Sequence, residues 1–282
     1  MKLVGICVAL LTIVPISARA EVGTTHEIVR VQDTTFATEP GPGSRGSTHD
    51  QDAIIERAVG ETDAGVELEY DLPKEASKNE RAATWQLPAL ILKRPDGSMQ
   101  LLNEPELRAR AERWLKSAHW TREVCEHLIF TWNAFRIECD PQSAITIVRA
   151  FDLGGAQVRE GALYRDSGAL QGAPLVRKPG PDGGAIYSVE LPVDPEQVRQ
   201  QRVETDLGVA EISGKKLDRA DAIKTHASER ISGTITIDFE ANSAGEIWRR
   251  TRLTKIEIRR PDGQTESQRS TETLESRPIP AS

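Results

Sequence analysis

Three alternating runs near the C-terminus constrain the fold most. Ile231 to Phe239 sets Ile235, Ile237 and Phe239 two residues apart, the period that sends alternate side chains to one face of a strand. Ile247 to Ile258 and a Thr-rich run, Gln264 to Leu274, follow, and such compositions suit a half-buried pleated surface. An antiparallel meander is expected. Its second turn is Arg260-Pro261-Asp262-Gly263, where proline presets one dihedral and glycine closes the bend. Arg94-Pro95-Asp96-Gly97, after Leu90-Ile91-Leu92, repeats the chemistry. The flanking apolar positions differ, so no internal repeat is inferred. Arg277-Pro278-Ile279-Pro280 is expected to fray.

Upstream, Val66 to Tyr70 alternates and closes at Asp71-Leu72-Pro73, and Leu87 to Lys93 and Ile186 to Leu191 are further strands. Asn103-Glu104-Pro105-Glu106 is a helix start with an acceptor cap, early proline and acidic first turn. Leu107, Ala111, Trp114, Leu115 and Ala118 then share one face. Asp140-Pro141 repeats the start signal; Ala144, Ile145, Val148 and Phe151 have helical spacing, although Ile145-Thr146-Ile147-Val148 also fits a strand. Asp194-Pro195-Glu196 opens a helix reaching Ile212, with Gly208 inside it at about 1 kcal/mol relative to alanine. The Gly- and Pro-rich stretch 154–185 predicts loops and short strands.

The fold class expected is α+β. Residues 21–60 form an extended flexible arm, broken by Pro40-Gly41-Pro42-Gly43. Residues 61–160 form a mixed helix and strand region, and 161–282 a β-rich region with one helix and the meander. Whether 61–282 is one domain or two stays open.

Residues 1–20 order a charge at Lys2, an apolar run from Leu3 to Ile16 and the small-residue end Ser17-Ala18-Arg19-Ala20. That order predicts an export signal cleaved after Ala20. The run holds Pro15 and is shorter than the ~18 residues of a membrane span. No transmembrane anchor is expected after cleavage, and the product is expected in the periplasm or outside the cell. Losing Lys2 and Arg19 takes the formal charge from −7 to −9. Net negative charge argues against nucleic acid or a general anionic-lipid binder, which need basic surface; local patches stay open.

Beyond the signal only Cys125 and Cys139 remain, an even count that predicts a disulfide in an oxidising compartment. Bonded cysteines need α-carbons within about 7 Å, so the segment must turn back on itself. Trp132-Asn133 is its midpoint, and asparagine tolerates turn geometry. A hairpin there pairs Ile129 with Phe135 and His127 with Ile137.

Motifs for chemistry are sparse. Gly208 to Lys216 has the wrong spacing for a phosphate loop and lacks its Ser or Thr. Ser213-Gly214-Lys215-Lys216 matches the Ser-x-x-Lys of acylating serines, but the expected partners are absent; the nearest is Lys224-Thr225-His226. His26, His49, His119, His127 and His226 show no metal-binding pattern, so neither a metal nor a cofactor is expected. His127, between Glu126 and the facing Glu138 and Asp140, could be an oriented base, but a solvated or half-buried histidine beside a disulfide is the commoner arrangement, so it is not taken as catalytic. Strict alternation would put Trp248, Arg250 and Arg252 on one face, a candidate anion or partner site because guanidinium groups grip phosphate and carboxylate; a charged sheet edge is the plainer explanation. The functional expectation is a non-catalytic exported binding protein whose partner is an envelope polyanion or a protein. A hydrolase of envelope material, with acid and base drawn from distant residues, is the alternative.

Overall fold

A computed structural model describes residues 22–39, 44–130, 134–154 and 158–280. The proposed signal, Pro40-Gly41-Pro42-Gly43 and the Trp132-Asn133 midpoint lie outside them. From the first half come β1 (Thr25–Glu39), β2 (Arg45–Thr62), β3 (Gly65–Asp71), β4 (Ala89–Lys93) and β5 (Met99–Leu101). Helices α1 (Lys78–Ala83), α2 (Glu104–Ser117) and α3 (Ser143–Arg149) accompany them, with the hairpin β6 (Leu128–Phe130) and β7 (Ala134–Arg136) between the last two. Short strands β8 (Leu163–Tyr164) and β9 (Ala173–Pro174) precede β10 (Val176–Pro179) and β11 (Ala185–Pro192). After α4 (Pro195–Ile212) and α5 (Arg219–His226) come β12 (Arg230–Ala241), β13 (Ile247–Arg259) and β14 (Thr265–Pro278).

Ten strands make one antiparallel sheet in the order β10-β11-β12-β13-β14-β1-β2-β3-β4-β5. Of the described residues 44% are strand and 24% helix, so they are richer in sheet than the expected α+β class implies. The C-terminal meander is present. The expected flexible arm is instead β1 and β2, two of the longest strands. Its Thr, Asp and Ser residues offer little apolar alternation, and pairing on both sides of β1 supplies the order. The expected fraying of Arg277 and Pro278 is also corrected: they pair with Glu27 and His26, and Ile279 donates to the Thr25 carbonyl at 2.8 Å. Both Arg-Pro-Asp-Gly turns close alike, Gly97 N–H to Arg94 at 2.9 Å and Gly263 N–H to Arg260 at 3.1 Å.

Register places the apolar positions of both halves on one sheet face. Ile91, Leu68 and Ala58 are matched across β4, β3 and β2, while Phe239 and Ile237 of β12 oppose Tyr187 and Val189 of β11. Over the first half, α2 and α3 cover this face with Leu107, Ala111, Ala144 and Val148, joined by Phe151 just beyond α3. Over the second, Leu175 of the 158–175 segment and Val198 of α4 do so. The helix starting after Asn103 and the one after Asp140-Pro141 are both present, with Leu107, Ala111 and Leu115 buried as expected. Where one helix was expected in the second half there are two; α5 buries only Ala222 and His226, too little apolar surface to mark it.

The disulfide joins Cys125 and Cys139, with α-carbons 5.7 Å apart. The register is the expected one: Ile129 opposes Phe135, and Ile137 N–H donates to the His127 carbonyl at 3.0 Å. The hairpin root packs with Leu115, Ile137 and Cys139 beside Trp114 and Trp120, whose rings meet edge-on at 5.5 Å. From there it reaches α4, which explains Gly208. A β-carbon at Gly208 would stand 3.0 Å from Leu128 Cδ1, so the helix accepts a glycine where the hairpin lands.

Candidate functional site

The inner sheet face is interrupted by charge. A cross-strand row runs Asp52, Arg30, Leu274, Arg250, Phe239 over β2, β1, β14, β13 and β12, and the next runs Gln32, Glu272, Arg252, Ile237. Arg30, Arg250 and Arg252 therefore stand together between the two apolar clusters. Alternation dictates it: Ile28 faces inward, so Arg30 two residues on must also.

Each guanidinium meets acceptors inside the chain. Arg250 donates to the Asp152 carbonyl at 2.7 Å and to Glu272 at 2.8 Å. Arg252 grips Asp166 through two bonds of 3.0 Å and donates to Thr254 at 2.8 Å. Arg30 donates to Gln32 at 3.1 Å, lies 3.7 Å from Glu272 and stands over the Phe151 ring at 5.9 Å. Its buried Nε has no hydrogen-bond acceptor among the described residues. Lys93 pairs with the Asp152 carboxylate at 2.6 Å.

Burial alone would raise the Asp166 carboxyl, and the Arg252 guanidinium outweighs it, leaving Asp166 below the ordinary value of 3.8. Burial raises the Tyr164 hydroxyl, whose ring packs edge-on against Phe239 at 5.4 Å. Burial and then Glu56, which accepts its hydroxyl at 2.7 Å, push Tyr70 well above the usual range. A carboxyl depressed in the folded state stabilises it above the unfolded pKa and loses that contribution as pH falls through the folded one. The stability gap between wild type and Asp166→Asn, measured by urea unfolding across pH, is thus expected to be steady near neutrality and to shrink below about pH 4. A gap undiminished in acid would count against the pair.

Arg250 and Arg252 thus share a face as expected, but Trp248 does not follow strict alternation. It is the extra residue of a bulge, where Glu240 pairs with Arg249 and Ala241 with Ile247, and bulges re-aim side chains. Nor is β13 a sheet edge, since β12 and β14 flank it. Exposed His127 faces Glu211 at 3.4 Å, rather than Glu138 or Asp140. Ser213 caps the end of α4, opposite to the helix start an acylating serine requires.

Beside Arg30 opens a cleft of about 740 Å³. Ile54, Leu72, Pro73, Leu87, Ile147 and Phe151 give it apolar walls; Asp52, Glu75 and Glu80 line it too and are exposed. The Ser77 backbone N–H bonded to Glu80 holds that carboxyl below its usual range. The cleft combines apolar surface with a negative rim. Nothing in the sequence marked it, because its walls come from β2, the β3–α1 connection and α3.

No family model and no curated protein match the chain. Among solved structures it is similar to one described as lipid-protein interactions in lipovitellin, at 10% identity and a TM-score of 0.41. The match covers 93% of this chain and 26% of that one. A likeness of that size carries no functional inference.

Proposed function

We propose that the protein is an exported, non-catalytic binding protein, and that the cleft beside Arg30 receives a segment of a partner protein carrying apolar and basic side chains. One juxtaposition carries the reading: apolar walls beside three rim carboxylates. Apolar side chains would displace water from Leu72, Ile147 and Phe151, and a lysine or arginine would meet the rim carboxylates. An envelope polyanion at Arg250 and Arg252 would have to displace Glu272 and Asp166, so the proposal puts the partner in the cleft. The disulfide is compatible with a compartment outside a reducing cytoplasm; removal of the first twenty residues belongs to the same proposal.

Two short probes test it, one alternating leucine with lysine and one alternating leucine with glutamate. The lysine probe is expected to protect 72–80 and 146–151 from hydrogen exchange. Glu75→Gln with Glu80→Gln should weaken it about tenfold, roughly threefold per exposed charge. Equal binding of the glutamate probe, or protection elsewhere, would overturn the reading.

A further inference from the structure

Where β3 stops, β2 keeps an open edge. β1 pairs with β2 continuously from Arg45 to Arg57, but β3 covers the other side only from Ile55 onward, where Asp71 faces it. Among the described residues, 45–54 border no strand on that side. Past Asp71 the chain leaves the sheet through Leu72 and Pro73. The space so vacated runs into the cleft, whose lining includes Gln51, Asp52, Ala53 and Ile54.

Parity fixes which backbone groups are open. Ala58 accepts the Gly23 N–H at 2.8 Å and donates to the Thr24 carbonyl at 3.0 Å, and Ser44 accepts the Thr38 N–H at 3.1 Å. Even-numbered residues of β2 therefore direct N–H and C=O at β1, and Ser47, His49, Gln51 and Ala53 direct theirs at the vacated side. Among the described residues these groups have no partner. Residues 47–52 are exposed.

We infer that the partner segment enters as an extended strand, antiparallel to β2 along 47–53 and continuing the line of β3; the inference rests on the cleft reading above. Donor and acceptor pairs recurring every second residue, ~6.8 Å apart at ~3.4 Å per residue, are matched by the backbone of another extended chain. Side chains opposite Asp52 and Asp50 lie on the cleft side of that strand. Both aspartates are exposed, with no ion pair among the described residues, and the cations nearby are committed elsewhere or lie outside the cleft. Arg45 pairs with Glu39 at 2.8 Å, Arg30 is held by Gln32 and Glu272, and Arg81 donates to the Pro73 carbonyl at 2.6 Å. Lys74 and Lys78 do not line the cleft. Lysine or arginine thus suits the two positions facing the aspartates, and an apolar residue suits the end beside Ile54. A second copy of this chain fits less well, because edge-to-edge pairing would bring Asp50 and Asp52 against their counterparts, and like charges across a ladder repel.

The test uses a capped peptide, Leu-Thr-Lys-Thr-Lys-Thr, set with leucine beside Ile54 and the lysines opposite Asp52 and Asp50. At saturation it is expected to slow hydrogen exchange at His49, Gln51 and Ala53 as well as at the cleft walls. N-methylation of its threonines, whose N–H groups face β2, should weaken binding about thirtyfold, roughly threefold for each of three lost bonds. N-methylation of its lysines, whose N–H groups face away, should leave affinity unchanged. Gln51→Pro removes an N–H that no neighbouring strand uses, which an open edge tolerates; it should weaken the peptide at least about tenfold while keeping the circular dichroism of wild type, and Gln51→Ala should bind normally. The methylated peptides keep the test independent of any variant's folding. Protection of 72–80 and 146–151 without 49–53, or equal loss from both methylated peptides, would overturn strand addition and leave the cleft reading standing. Protection at neither place, with this peptide and with the leucine–lysine probe, would end both. Slow exchange at 47–53 in a dimer without peptide would give the edge to a second copy and overturn the inference.

Discussion

Replacing Cys125 and Cys139 with alanine is expected to lower stability by about 3 kcal/mol, because a bond across fourteen residues no longer restricts the unfolded chain. The effect should extend beyond the hairpin root. Leu128 rests on Gly208, and Glu211 accepts the Leu128 N–H and faces His127. Loosening the hairpin therefore removes contacts from the end of α4. Hydrogen exchange should show lost protection both around 125–139 and near Gly208. Urea unfolding of wild type in reductant should show the same loss, while the double variant should be insensitive to reductant. A wild type equally stable with and without reductant would sink the prediction.

Arg202→Met is expected to cost about 3 kcal/mol, at the low end for a buried ion pair that loses one partner. Arg202 of α4 approaches Glu229 at 3.1 Å and donates to Glu266 at 3.2 and 3.0 Å. Glu229 is only 4% exposed on its side chain. Without Arg202 it keeps His226 at 3.1 Å, itself bonded to Asp206 at 2.9 Å, and a distant Arg260 at 4.0 Å. Its Oε2 has no hydrogen-bond partner among the described residues even with Arg202 present; the approach of Arg202 is a charge contact off the hydrogen-bond direction. Glu266 loses less because Arg260 also reaches it at 3.0 Å. Adding Glu229→Gln to Arg202→Met removes the stranded charge and should recover about half of the loss. A double-mutant cycle by chemical unfolding measures this coupling; strictly additive effects would show that the pair does not act as a unit.

Local chemistry made some of this fold legible and long-range pairing concealed the rest. Asn103-Glu104-Pro105-Glu106 marks α2, which starts at Glu104, and the cysteine spacing specifies the β6–β7 register. The even-spaced isoleucines of β12 expose the meander directly. By contrast β1 beyond Val31 is Gln-Asp-Thr-Thr-Phe-Ala-Thr-Glu, with no inward apolar series, and what orders it is β14, more than two hundred residues away. The candidate site divides the same way. Alternation placed Arg250 and Arg252 together, but it could not show that Asp152 and Asp166, 98 and 86 residues earlier, occupy them. The bulge at Trp248 breaks the rule that would have put it with them. The cleft depends on how α3 and the β3–α1 connection lie over β2, a relation no local spacing encodes.

The junction of β1 with β14 has a consequence for biogenesis. A chain emerging from its amino end can assemble the β1–β5 meander early, yet one whole rim of β1 keeps its ladder groups open until residues 265–278 appear. During that interval the exposed rim can recruit another copy's strand. Truncation before Thr265 should therefore yield a species prone to self-association, and timely delivery of the tail becomes the step that protects the newborn molecule.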